Sequence, residues 1–235
     1  MADEDAPAGV YLYCVVGEEA DPSDVTGIGG GRVRALPLSG IRVWASALER
    51  APHPHVQRMR EHNAVVTAAL DAGDTPVPLR FGQWFSDERQ ALDALRPRLD
   101  ALRASLARVR DSVEYGIRVI DPAATTPVTV AAPPEAPAPS GRAYIERAAA
   151  RIAARDRARR SADEVATALD QLVGPLVRER KVEPLRSRSG VATIAHLVAR
   201  ADETDYLERV RAIRGRLPEY RFLFTGPWPP YSFGP

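Results

Sequence analysis

Val10-Tyr-Leu-Tyr-Cys-Val-Val16 is an unbroken apolar run of strand length, rich in Val and Tyr. A strand without polar alternation has both faces covered, so this segment reads as the inside of a sheet with structure packed on either side. Working outward, Arg32–Leu38 and Ile41–Ala47 flank Ser39-Gly40, and two such runs about a short Gly-containing turn predict a β-hairpin. A helix is expected over 54–72, with Val56, Met59, Val66 and Leu70 on its inner face and Gly73 as its stop. Thr75–Phe81 contains Pro76 and Pro78, which restricts it to an edge strand or an extended connector. Ser86, ahead of Asp87 and Glu88, reads as the N-cap of the next helix. There Leu92, Leu95, Leu99, Leu102, Leu106 and Val109 recur at spacings of 3 and 4, interrupted by Pro97. That seam fits either a kinked helix laid on its own sheet or a docking surface for another chain. Val113, Tyr115, Ile117 and Val119 then alternate with Glu114, Gly116 and Arg118, a half-buried strand that closes a first domain over 1–120.

Residues 121–140 carry prolines at 122, 127, 133, 134, 137 and 139 among Ala and Thr. With no apolar periodicity, they read as an extended Pro/Ala-rich linker. Beyond it, a helical stretch is expected from Gly141 to about Arg180, with breaks at the capping-box pattern Ser161-x-x-Glu164 and at Gly174-Pro175. Extended segments around 182–186 and 191–199 follow, separated by Ser189-Gly190. A helix over 202–214 with Tyr206, Val210 and Ile213 inward then leads to a strand over 220–225. The order α-β-β-α-β resembles a ferredoxin-like unit lacking its first strand. The expected fold is therefore two α+β domains, 1–120 and a ferredoxin-like 141–225, joined by the linker 121–140 and followed by an extended tail, 226–235.

Apolar residues make up 45% and charged residues 27% of the 235, ordinary proportions that exclude wholesale disorder and collagen-like structure. No run approaches the roughly 18 apolar residues of a membrane span. The acidic start Met-Ala-Asp-Glu-Asp is unlike a basic secretory leader, so a cytoplasmic protein without membrane insertion is expected. A net charge of +1 supplies no global field for nucleic acid. The single cysteine, Cys14, excludes an intramolecular disulfide and a Cys-rich zinc site.

Few constellations carry chemistry. His53-Pro-His55 and His62 lack the three or four convergent ligands that zinc requires, so no metal is expected; they read as helix-entry residues and a partly buried hydrogen-bond donor. Cys14, in the middle of an apolar strand, reads as inert core. No paired carboxylates and no Gly-x-Ser-x-Gly element occur, so neither an enzyme nor a cofactor is expected. Gly27-Ile-Gly-Gly-Gly-Arg32, with Gly29, Gly30, Gly31 and Arg32 at its centre, is a flexible loop or a weak anion or nucleotide contact. It lacks the Gly-Lys-Ser/Thr ending of a P-loop and leads into a strand. Arg151, Arg155, Arg157, Arg159 and Arg160 lack interleaved aromatics, which favours a salt-bridging helix face or a contact with acidic protein over RNA. Arg80, Phe81, Trp84 and Phe85 form either an exposed apolar docking patch or a core segment in which Arg80 pairs with Glu114. In the tail, Pro227, Pro229 and Pro230 forbid a helix or a central strand. Trp228, Tyr231 and Phe233 are too apolar to hang free, so the tail is expected to lie extended, to be anchored on the first domain and to fix the placement of the two halves.

The ending Gly226-Pro-Trp-Pro-Pro-Tyr-Ser-Phe233 resembles gas vesicle synthesis proteins of the GvpL/GvpF type. Supporting matches run in order through Tyr11-Leu12-Tyr13, the helix bearing His62 and Val65-Val66, Pro78-Leu-Arg-Phe-Gly82, Glu114 with Arg118-Val119, and Gly141-Arg142-x-Tyr144-x-x-Arg147. The resemblance implies an accessory protein for assembly of gas vesicles that is cytoplasmic or retained on the vesicle. It further implies binding of the apolar vesicle shell protein and contact with other accessory proteins, without catalysis. A chaperone-like monomer that shields the shell protein, mainly through its first domain, is the expected mechanism. The alternative is a small-ligand or nucleotide-binding regulatory module built on Gly27–Arg32.

Overall fold

The computed structural model describes residues 9–122, 141–185 and 190–235. Most of the expected linker and the Ser189 side of the Ser189-Gly190 turn lie outside the described residues. The chain forms two compact units, Met1–Glu114 with Pro227–Pro235, and Tyr115–Gly226.

In the first unit, β1 (Gly9–Val16) is buried along its whole length. It pairs antiparallel with β3 (Ile41–Leu48), which pairs with β2 (Val33–Leu38) across the Ser39-Gly40 turn. The two-residue strands β4 (Val77–Pro78) and β5 (Trp84–Phe85) both pair with the other edge of β1. Proline thus sits on a short edge strand, where no ladder donor is missed. The β1–β3 register shifts between Leu12 and Cys14. A bulge of this kind turns the strand by one residue, which explains why Tyr11, Tyr13, Cys14 and Val16 all enter one core with Trp44, Val65, Val66 and Ala69. Without the bulge, strict alternation would put Tyr13 and Cys14 on opposite faces.

Helix α1 (Val56–Asp71) packs on this core through His62, Val65, Val66, Ala69 and Leu70. The expected inner face is corrected at its N-terminal end, because Val56 is 60% and Met59 47% exposed. His62 takes the place that apolarity alone assigns to Met59, its Nδ1 paired with the Tyr11 hydroxyl. Helix α2 (Glu88–Leu95) is capped by Asp87, not by Ser86: the Asp87 carboxylate accepts the Gln90 N–H at 2.7 Å. Ser86 instead donates its backbone N–H to the Gln90 side chain. Arg96–Arg98 form a 3-10 turn at Pro97 before α3 (Leu99–Val109), a break caused by the missing proline N–H. Leu95, Leu102 and Val109 are buried and Leu92, Leu99 and Leu106 half-buried, as for a kinked helix on its own sheet.

Strand β6 (Ser112–Ile120) is the strand expected to close the first domain. It lies instead inside the second sheet, ordered β7-β8-β6-β9, with β7 (Val177–Pro184), β8 (Gly190–Ala199) and β9 (Arg221–Trp228). It supplies the missing first strand: β6, α4 (Gly141–Val173), β7, β8, α5 (Glu203–Arg211) with α6 (Ile213–Arg216), and β9 form a complete βαββαβ ferredoxin-like order. Periodicity marks a strand as half-buried but does not say which sheet it joins. The expected break at Ser161 is also absent, because α4 runs through it and ends at the 3-10 turn Gly174–Leu176. Tyr206, Val210 and Ile213 are buried as expected.

Each unit encloses a histidine hydrogen-bonded to a tyrosine, His62 Nδ1 to Tyr11 Oη at 2.9 Å and His196 Nδ1 to Tyr206 Oη at 3.0 Å. Burial pushes His62 down to about 4, with the nearby Leu79 carbonyl opposing weakly. Burial does the same to His196, with Asp170 opposing and Arg180 reinforcing. An unfolded histidine takes up a proton near pH 6.5 while these stay neutral, so stability is full above that value and falls by about 1.4 kcal/mol per pH unit per histidine down to about pH 4. Thermal unfolding from pH 7 to pH 4.5 is expected to show this loss. The His196→Asn variant should have a shallower slope than the parent, and an identical slope would contradict the assignment.

Candidate functional site

Two phenols on β1 organise the first unit from within. Tyr13 Oη accepts the Ile28 N–H at 2.8 Å and shares a hydrogen bond with Ser46 Oγ at 2.7 Å. A Cβ at Gly27 would overlap this hydroxyl, so only glycine lets the loop approach. Tyr11 Oη, besides meeting His62, accepts the Gly82 N–H at 3.1 Å, and Gly82 has φ +95°, a conformation that suits glycine. The Arg-Phe-Gly element is therefore a turn tied to the centre of the sheet.

These ties decide how the expected site residues behave. Phe81 packs on Tyr11 and His62 with ring centroids 6.1 and 5.9 Å apart. Trp84 and Phe85 are paired to β1, and the Trp84 indole donates to the Leu48 carbonyl at 2.8 Å. All three aromatics are half-buried, whereas Arg80 is exposed. The buried Arg80–Glu114 pair is corrected: Arg80 is exposed, and a solvated guanidinium needs no buried partner.

The Gly27–Arg32 loop spends its donors inside the molecule. Gly27 N–H bonds the Gly31 carbonyl, Gly30 N–H the Gly27 carbonyl and Gly29 N–H the Glu61 carboxylate at 3.3 Å. A cradle for phosphate would need these N–H groups free, and Glu61 places negative charge against it. Arg32 lines a different hollow, with Arg34, Arg42, Asp21 and Ser23. His55 caps α1 by accepting the Gln57 N–H, and Cys14 is fully buried, which pushes its thiol well up. Among the described residues there is no group of three His, Cys, Asp or Glu that could hold a metal, and no helix is long and apolar enough to cross a membrane.

Glu114 meets the tail. Its carboxylate accepts both the Ser232 N–H and the Ser232 hydroxyl, each at 2.7 Å. Arg108 donates to the Phe233 carbonyl, and Tyr231 Oη donates to Asn63 Oδ1 of α1 at 2.9 Å. Phe233 is fully buried and Pro229 and Pro230 are buried with it. Trp228 and Tyr231 are not fully anchored as expected, remaining 42% and 41% exposed. β9 extends through Pro227 to Trp228, and the chain then makes a 3-10 turn at Tyr231–Phe233. Sequence reasoning missed this Glu114–Ser232 site, whose partners lie 118 residues apart.

This geometry accounts for the segments that single the chain out. A family model described as gas vesicle synthesis protein GvpL/GvpF matches residues 9–235, and the chain belongs to that family. Gas vesicle protein L2 of Halobacterium salinarum is 29% identical, over 97% of this chain and 91% of that one. Gas vesicle protein L of a Streptomyces species is 30% identical over 74% and 67%. Two crystal structures share the fold: gas vesicle protein GvpF from Anabaena, with TM-score 0.74, 17% identity and 97% and 98% coverage, and GvpF from Microcystis aeruginosa, with TM-score 0.75, 18% identity and 96% and 98% coverage. Membership places this chain among the proteins of gas vesicle formation.

If Glu114 holds the tail, Ser232→Ala should lower stability by about 1.5–3 kcal/mol, the worth of a hydrogen bond to a charged group. Glu114→Gln should cost at least as much, and the double variant less than the two together. Arg80→Ala should change stability by under about 0.5 kcal/mol. Denaturant unfolding measures all four, and a large loss for Arg80→Ala with none for Ser232→Ala would reverse the assignment.

Proposed function

We propose that this protein is a cytoplasmic, non-enzymatic assembly factor that binds the apolar gas vesicle shell protein in a chaperone-like way through its first unit and contacts other accessory proteins. The observation that carries this reading is an exposed apolar strip on α1. Val56 and Met59 lie 60% and 47% exposed, on the same side of the helix as Asn63 by their spacing of 3 and 4. Asn63 is where the 41% exposed Tyr231 is tied. Large apolar side chains grouped at a surface mark a binding face, and Tyr and Met are residue types favoured at such faces. The strip is held on a rigid base, since the adjoining side of α1 is locked to β1 through His62 and Tyr11. A modest strip of this kind gives contacts weak enough to shield a shell monomer and then release it.

Co-purification of the full chain with the shell protein tests this reading. Val56→Asp with Met59→Asp is expected to reduce recovery severalfold while leaving the unfolding midpoint nearly unchanged, because exposed substitutions rarely exceed about 0.5 kcal/mol. Undiminished recovery would show that another face binds.

A further inference from the structure

The first turns of α4 differ from the rest of the second unit in burial and charge. The helix runs 33 residues, about 50 Å at the rise of an α-helix, whereas the eight-residue strand β7 that follows it spans roughly 27 Å. Buried side chains on α4 begin at Ala162 and continue through Val165, Ala166, Leu169 and Val173. Before Ser161, none of the described side chains is buried, and Ile145 and Ile152 are 67% and 62% exposed. The stretch Gly141–Arg160 holds seven arginines against Glu146 and Asp156, in a chain whose net charge is only +1.

A helix of this length is marginal in water without tertiary packing, and among the described residues of this stretch Ile145 and Ile152 lie exposed one heptad apart. We infer that this arm docks an acidic amphipathic helix of a protein partner. Ile145 and Ile152 enter the partner's apolar seam, and arginines such as the exposed Arg159 and Arg160 meet carboxylates flanking it. Charge selects this occupant over a second copy, which would set arginine against arginine. The apolar stripe has coiled-coil width, narrower than the broad Trp-, Phe- or Leu-bearing face that lies in a membrane surface. Tyr144 is the only aromatic in the stretch, against the stacking platforms of single-stranded nucleic acid sites.

The test titrates the full chain with a synthetic acidic heptad-repeat peptide bearing Leu at its seam and Glu beside it, followed by fluorescence anisotropy. The same peptide with Lys for Glu, phosphatidylserine vesicles and duplex DNA serve as comparisons. The acidic peptide is expected to bind and the Lys peptide not. Ile145→Ala with Ile152→Ala should weaken binding about tenfold, as should Arg159→Glu with Arg160→Glu. Alanine is the better helix former, and circular dichroism checks that the arm stays helical in both variants. Failure of the acidic peptide to bind, binding that ignores the isoleucines, or tighter binding to vesicles or DNA would overturn the inference.

Discussion

The carboxylate of Glu114 is the constraint on which the completed first unit depends. Glu114 is only 8% exposed, and a carboxylate so placed is costly unless it is hydrogen-bonded. Ser232 meets it with two donors at once, and this seats Phe233 in the core and Tyr231 beside α1. The surface on which function is proposed is therefore made from sequence segments that are brought together by one charged group. Glu114 is also the last residue of the first unit before the chain enters the second, and the chain re-enters at Pro227, so the tie closes the loop in the chain's path.

The β1 phenols act at the same level. Tyr11 and Tyr13 each carry a hydroxyl into an apolar core, and each is satisfied by a backbone N–H of a distant turn, Gly82 or Ile28. Losing such a hydrogen bond leaves a buried polar group unpaired, so these turns are specified by chemistry as well as by packing. That explains how the Gly-rich segment, which reads in sequence as a flexible loop or a weak anion contact, and the Arg-Phe-Gly turn come to be tied to the sheet.

What was legible in the sequence was local. The apolar run 10–16, the hairpin about Ser39-Gly40, the edge prolines and the kink at Pro97 each follow from rules that act within a few residues. The bulge at Tyr13 has no such signal, because it exists only relative to β3. Apolarity put Met59 inside and left His62 only partly buried, whereas its full burial goes with a tyrosine 51 residues away. Alternation found β6 but could not say that it completes the ferredoxin-like order. The need of a buried guanidinium for a carboxylate suggested Arg80 for Glu114, whereas Glu114 accepts from a serine hydroxyl and a backbone amide, which carry no charge pattern. The family resemblance was readable from the tail, and so was its need of an anchor on the first unit; the Glu114–Ser232 bond that supplies one was not.

Amide hydrogen exchange at Ser232 measures this tie most directly. In the native chain the account predicts strong protection of the Ser232 N–H, comparable to the unit it completes, and loss of that protection in Glu114→Gln while the amides of Val10–Val16 stay protected. Exchange of the native Ser232 amide at the rate of a free peptide would contradict it.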